Sequence, residues 1–193
     1  MLYTRKGDDG TTRLLNRDGQ AKTFACNQRV SKSSNIAEAL GALDEINSFL
    51  GICKVKSRKE KFSIPNKTSF EKIIHNAQKN LFIIQAEIAG SKKIIDEKKV
   101  KELEKIIDEI EKELPPIKSF FIAGGLKLSA MFDFARTIAR RAERRVVAVD
   151  DEGVQKVGKF TKAYLNRLSS LLYALARLSN HFSGIKEESP DYK

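Results

Sequence analysis

ARTIARRAERRVV, residues 135–147, sets five arginines around one glutamate inside a helical repeat. Met131, Ala135, Ile138, Ala142, Val146 and Val149 recur at spacings of three and four, which predicts a helix from about Ser129 to Val149, ended by Asp150, Asp151 and Gly153. The same spacing recurs on both sides of it. Ile36, Leu40, Leu43 and Leu50 mark a helix from Asn35, where Asn35 and Glu38 resemble a capping box. Phe70, Ile73, Ala77, Leu81, Ile84 and Ile88 mark a second helix from about Ser69. Val100, Leu103, Ile107, Ile110 and Leu114 mark a third, stopped by Pro115-Pro116. Phe160, Tyr164, Leu168, Leu171, Leu175 and Leu178 mark the last.

The segments between these stripes read as connections. Residues 54–68 are basic and contain Pro65, and SFFIAGG (119–125) ends in a glycine pair. No convincing strand pair and no internal repeat is visible. The expected architecture is therefore all-α: one domain of 193 residues with a five-helix bundle over 34–183. A polar, Gly-rich N-terminal loop (1–33) precedes the bundle and a polar tail (184–193) follows it.

Composition narrows the function classes. Hydrophobic residues make up 41% and charged residues 32%, as in a soluble globular domain, and no apolar run is long enough to span a membrane. MLYTRKGDDG lacks the apolar centre of a signal peptide, so a cytoplasmic location is expected. Cys26 and Cys53 are expected to be reduced thiols, and His75 and His181 have no ligand neighbours at helical spacing, so no protein-held metal is expected. The net charge of +11 permits a nucleic acid, an anionic membrane surface or a polyphosphate as partner.

On the arginine helix, Arg136, Arg140, Glu143 and Arg144 share an arc of about 100° beside the apolar stripe, while Arg141 and Arg145 lie farther round. Such an arc suits a partly buried anion site whose internal carboxylate fixes the guanidinium forks. It equally suits a solvated face on which Glu143 pairs its helical neighbours. The N-terminal YTRKGDDGTT (3–12) has Gly7 and Gly10 for tight turns and Thr11 and Thr12 for hydroxyls, the makings of a loop that wraps phosphates, although GxxxxGK[ST] is absent. In YLNRLSSLLYALAR (164–177), Asn166 and Arg167 are polar positions early in an apolar helix, which also fits plain surface groups at a helix end.

Together with RVSKSSNIAEALGALDEINSFLG (29–51), these segments resemble, in the same order, the PduO-type ATP:cob(I)alamin adenosyltransferases. The resemblance runs from Tyr3 to about Arg177 and is weakest over 54–118. It implies a homotrimer with active sites between subunits, and transfer of the 5′-deoxyadenosyl group of ATP to the cobalt of a corrinoid, with magnesium accompanying ATP and triphosphate released. It implies that Thr4, Arg5, Lys6, Gly7, Thr12 and Arg13 wrap ATP and that Lys32 reaches its phosphates. Arg140, Arg141, Glu143 and Arg144 would hold triphosphate and nucleoside, helped by Asn166. Asp44 would pair with Arg136 across the subunit interface, and Phe120 would lie at the lower face of the corrin and exclude the lower axial ligand. Arg140, Arg144 and Phe120 are the implied catalytic residues. A flavoprotein reductase and a cobalamin-dependent mutase or dehydratase are the implied protein partners, with no nucleic acid and no membrane.

The chain departs from the family pattern at four places. Ala123 stands where the family has proline in FxLPGG, Phe132-Asp133 stand where it often has Leu-His, Arg13 replaces a small residue, and about two extra residues separate the arginine motif from Asn166. The first two bear on the corrin side. Two other readings compete. A nucleic-acid-binding helical protein predicts steeply salt-dependent DNA or RNA binding. A bundle with a purely assembling role predicts no ATP binding.

Overall fold

The computed structural model describes Tyr3, residues 5–14 and residues 29–192. Five helices form the body: α1 (Asn35–Glu60), α2 (Phe70–Ile88), α3 (Glu97–Glu113), α4 (Lys127–Asp151) and α5 (Lys159–Phe182). Helix α4 packs between α1 and α5, α2 lies on α1, and α3 lies on α5. The five-helix bundle expected from the apolar stripes is therefore present. Its core runs through the stripe residues themselves, with Leu43, Ile46, Leu50, Phe70, Leu81, Ile84, Ile138, Ala142, Val146, Leu168 and Leu175 all buried. Each such aliphatic or aromatic side chain contributes about 1.5–3 kcal/mol through removal from water.

Several expectations need correction. A strand pair does exist: β1 (Thr11–Arg13) and β2 (Arg29–Ser31) pair antiparallel, Thr12 opposite Val30. Strands of three residues are too short to show alternation, so the pattern could not reveal them. Helix α1 continues through the basic stretch to Glu60, because small residues carry its buried face there. Cys53 and Ser57 are buried, and the Ser57 hydroxyl donates to the Cys53 carbonyl at 2.8 Å. The α1 N-cap is Ser34, whose Oγ accepts from the Ala37 N–H at 3.4 Å, and not Asn35. Asn35 instead bonds Glu152 beyond the end of α4.

The 184–192 segment is polar, as expected, yet it is packed. Arg177 on α5 is only 6% exposed and donates to both carboxylate oxygens of Glu187, at 2.7 and 2.8 Å. The Ile122 N–H donates to the Glu188 carbonyl at 2.8 Å. This segment thus lies along the connection between α3 and α4.

Burial fixes two further groups. Glu87 on α2 is 3% exposed and accepts from the Gly158 N–H at 2.8 Å and the Thr161 hydroxyl, capping α5, whose own N-terminus has no side-chain cap. Cys53 is fully buried and unpaired, and burial pushes its thiol up to about 12, so it stays protonated at neutral pH. Cys26 lies outside the described residues.

Candidate active site

The N-terminal arm is organised by two cations. Lys32, just past β2, donates from Nζ to the Gly7 carbonyl at 2.7 Å. A Cβ on Gly7 would stand 3.2 Å from the Thr11 carbonyl and 3.3 Å from Lys32 Nζ, so the lysine passes where glycine leaves room. Arg29 donates to the Lys6 carbonyl, to the Thr11 carbonyl at 3.1 Å and to Asp9 at 3.1 Å. The Asp9 carboxyl accepts from the Thr11 hydroxyl and N–H, which hold it below the usual carboxylate range. Motif reading passes over Arg29, whose only signal is adjacency to the RVSK lysine.

This arm forms one wall of a cleft of about 960 Å³. Thr12, Arg13, Lys32 and Asp44, with Gln85, Ser91 and Lys93, supply its polar groups, and residues such as Leu40, Phe82 and Ala86 its apolar lining. A cationic rim over an apolar floor suits a ligand with one charged and one flat end.

The arginines divide by helix flank. Toward α1, Arg141 pairs with Glu45 and Arg145 with Glu38, the latter at 3.8 Å. Toward α5, Glu143 accepts from Asn166 Nδ2 at 3.1 Å, and Arg167 donates to Asn166 Oδ1 at 2.8 Å while its Nε reaches Glu104 at 2.9 Å. Arg140 and Arg144 lie on this same side, exposed, and neither has an ion pair with another described residue. Arg136 lies one turn earlier, 5.9 Å from the Tyr173 ring centroid. Its Nε is buried without a hydrogen bond, with Asp133 Oδ1 at 4.0 Å.

Arg136 and Arg140 border a second, open cavity of about 610 Å³, lined also by Phe120, Phe121 and Tyr173. Phe120 is 80% exposed, so ordinary core packing does not account for it. Three groups hold the loop that presents it. The Arg177 guanidinium lies 5.2 Å from the Phe121 ring centroid. Asn180 donates to the Gly124 carbonyl at 3.0 Å and accepts from the Leu126 N–H at 2.9 Å. Gly125 has φ of +93°, and a Cβ there would fall 2.5 Å from Asn180 Oδ1, so this position excludes any side chain.

The model of the cobalamin adenosyltransferase family matches residues 2–179. The chain belongs to that family. It is 35% identical over 187 residues to the corrinoid adenosyltransferase PduO of Citrobacter freundii, covering 93% of this chain and 50% of that one. It thus spans about half the length of this relative and of PduO from Salmonella typhimurium, to which it is 37% identical over 183 residues. Against the corrinoid adenosyltransferase of Bacillus subtilis it is 34% identical over 195 residues, covering 95% of this chain and 89% of the other. A variant PduO-type ATP:corrinoid adenosyltransferase from Lactobacillus reuteri, complexed with cobalamin and ATP, aligns with TM-score 0.82 at 26% identity, covering 98% and 99% of the two chains.

Within this chain the residues singled out from the sequence fall largely into two groups. Thr12, Arg13, Lys32 and Asp44 line the arm-side cleft, and Arg136, Arg140 and Phe120 line the other; Glu143 and Asn166, hydrogen-bonded to each other, and Arg144 line neither. No described residue of one cavity lines the other. Arg5 adopts a left-handed backbone, φ +57°, with its guanidinium 5.5 Å from the Tyr3 ring centroid. Thr4 lies outside the described residues. Of the family departures, Phe132 is core: it is fully buried, 6.2 Å from the Phe70 ring centroid. Asp133 is a loop anchor whose carboxylate accepts from the Gly124 N–H at 3.3 Å. Burial raises the Asp133 carboxyl above its ordinary value, against the pull of that N–H and of Arg136.

Proposed function

We propose that the chain transfers the 5′-deoxyadenosyl group of ATP to the cobalt of cob(I)alamin or a related corrinoid. In that step the Co(I) electron pair forms a bond to the 5′-carbon while the carbon–oxygen bond to the α-phosphate breaks. Triphosphate leaves with the electron pair of the broken carbon–oxygen bond. Cob(I)alamin is a strong nucleophile, so no side-chain base or nucleophile is needed. What the protein supplies is orientation and stabilisation of the departing anion.

The observation that carries this reading is Arg140, which lines the same cavity as the exposed Phe120 and, like Arg144 one turn farther along α4, has no ion pair with another described residue. Guanidiniums without carboxylate partners keep their N–H forks available for phosphate oxygens, which they can bind bidentately. Glu143, tied to Asn166, fixes the flank between them. In our reading Arg140, Arg141 and Arg144 bind the triphosphate, and Thr4, Arg5, Lys6, Gly7, Thr12, Arg13 and Lys32 wrap ATP. Phe120 lies under the corrin and keeps a lower axial ligand away. The relatives' names and the cobalamin and ATP held by the Lactobacillus reuteri protein support both substrates.

The separation of the two cavities supports a site completed by a neighbouring subunit, as in a homotrimer. The arm of one subunit would then face the arginine arc of the next, and Asp44 would meet Arg136. Among the described residues Arg136 has no carboxylate nearer than Asp133 at 4.0 Å, which supports that contact. Magnesium would ride on the phosphates and water, since the described residues include no group of three His, Cys, Asp or Glu side chains suited to hold a metal. No described helix is long and apolar enough to cross a membrane, and we place the enzyme in the cytoplasm. There a flavoprotein reductase would deliver Co(I), and a cobalamin-dependent mutase or dehydratase would take the product.

The deciding experiment mixes the protein with ATP, magnesium and chemically reduced cobalamin, then measures adenosylcobalamin and triphosphate. Equal yields of the two are expected. Orthophosphate or pyrophosphate in place of triphosphate, or no cobalt–carbon product, refutes the proposal.

A further inference from the structure

We infer that Arg177 and Glu187 are positioning residues for the Phe120 loop, so that the segment after α5 belongs to the corrin-facing wall. This rests on the adenosyltransferase reading of the Phe120 cavity. An aromatic that is 80% exposed cannot be held by its own packing, so its place depends on its neighbours in the loop.

Arg177 is the hub of that support. One guanidinium spans the bidentate pair with Glu187, a hydrogen bond to the Pro115 carbonyl at 3.0 Å and the face of Phe121. It thereby ties the start of the loop, its centre and the C-terminal segment to α5. The segment then runs beside the loop. The Ser119 and Ser189 hydroxyls are 2.7 Å apart and the Ile122 N–H reaches the Glu188 carbonyl, so both sides of Phe120 are anchored to it. A bidentate guanidinium–carboxylate pair fixes direction as well as distance. With Arg177 at 6% exposure and Glu187 at 20%, removing one charge leaves the other poorly solvated, and the segment must shift to regain water.

A role confined to stability would affect both substrates alike. A positioning role predicts a split. In Glu187→Gln, KM for cob(I)alamin is expected to rise about tenfold while KM for ATP stays within about twofold. The share of bound cob(II)alamin lacking a lower axial ligand, read from its absorption spectrum with ATP present, is expected to fall. In a Phe120→Ala background the same substitution should add nothing to the cobalamin effect, since the group being positioned is gone. Ser189→Ala, at an exposed contact that poses no folding risk, is expected to move KM for cobalamin in the same direction by a smaller factor. Glu97→Gln, which breaks the Lys101 ion pair in the first turn of α3, at the opposite end of that helix from this loop, is expected to leave both constants unchanged. If the natural protein makes no adenosylcobalamin, the enzyme reading falls and this inference with it. If the natural protein is active and Glu187→Gln and Ser189→Ala leave KM for cobalamin unchanged, or move both constants together, the inference alone is overturned.

Discussion

The two flanks of α4 carry similar charge and do different things with it. On the α1 side, Arg141 and Arg145 meet Glu45 and Glu38, four half-exposed side chains in surface pairs. On the α5 side, Arg140 and Arg144 meet no carboxylate among the described residues, and Arg136 has a buried Nε with no acceptor. Arginine density in a sequence therefore does not locate an anion site. The absence of a local partner is the better guide, because a guanidinium with no carboxylate beside it has no ion pair to give up when an anionic ligand arrives.

The largest effect expected from breaking this contrast is at Arg140. If Arg140 donates to the leaving triphosphate as proposed, Arg140→Ala should lower adenosyl transfer about 10²–10³-fold. Thermal stability should stay within about 0.5 kcal/mol, because the side chain is exposed and unpaired. Turnover and a melting curve on the same preparation check both halves. Unchanged turnover would remove Arg140 from the ATP site.

Arg141 sits on the boundary and sharpens the comparison. In the chain it is engaged by Glu45, yet it is one of the residues proposed to hold triphosphate. Binding ATP would have to exchange one carboxylate for phosphate oxygens, so its contribution should be smaller than that of Arg140. Arg141→Ala is expected to raise KM for ATP about tenfold, with kcat changed little. Glu45→Gln, which frees the guanidinium, should lower KM for ATP.

How much of this contrast is legible in the sequence follows from what periodicity encodes. The arc angles separate Arg136, Arg140, Glu143 and Arg144 from Arg141 and Arg145, and the folded helix keeps that division. The stripes also place five helices, since burying an apolar face is what makes them fold. What stays hidden are contacts between residues distant in sequence whose side chains have no periodic signature. Glu45 and Glu38 look like any exposed carboxylates of α1. Glu187 lies in a segment without repeat, so nothing marks it as the partner of Arg177. By motif Phe132 is only a departure, although its place between Leu128 and Ala135, both buried, puts it on the core side of α4. The hydrogen-bonded role of Asp133 depends on the Gly124 N–H, which the loop brings beside it.

Asp133 offers a subtler way to test the α5 flank. Its carboxyl is raised above the ordinary 3.8 chiefly by burial, with Glu187 adding to the rise. The folded chain therefore holds this proton to higher pH than the unfolded chain does. Across that window the native state binds more protons, so this group's contribution to stability grows as pH falls and is least favourable at neutral pH. Asp133→Asn keeps an acceptor for the Gly124 N–H and removes the buried charge. The variant is expected to melt slightly above the natural chain at pH 7, with the gap closing as the pH approaches that ordinary value. A variant that melts lower at pH 7 would mean that the carboxylate's attraction to Arg136 outweighs its burial.

The smallest effect is expected on the opposite flank, and its smallness is the point. Arg145 pairs with Glu38 at 3.8 Å between side chains that are each almost half exposed, where water and salt screen the attraction. Arg145→Ala should change stability by no more than about 0.5 kcal/mol and leave adenosyl transfer within about twofold of the natural rate. Placed beside Arg140→Ala, on the same helix, it isolates pairing from charge, since both variants lose one positive charge from α4. Equal losses of activity would mean that the summed positive field of the helix draws ATP in. A large loss at Arg140 with none at Arg145 would mean that the triphosphate is held by the guanidiniums the fold leaves unpartnered.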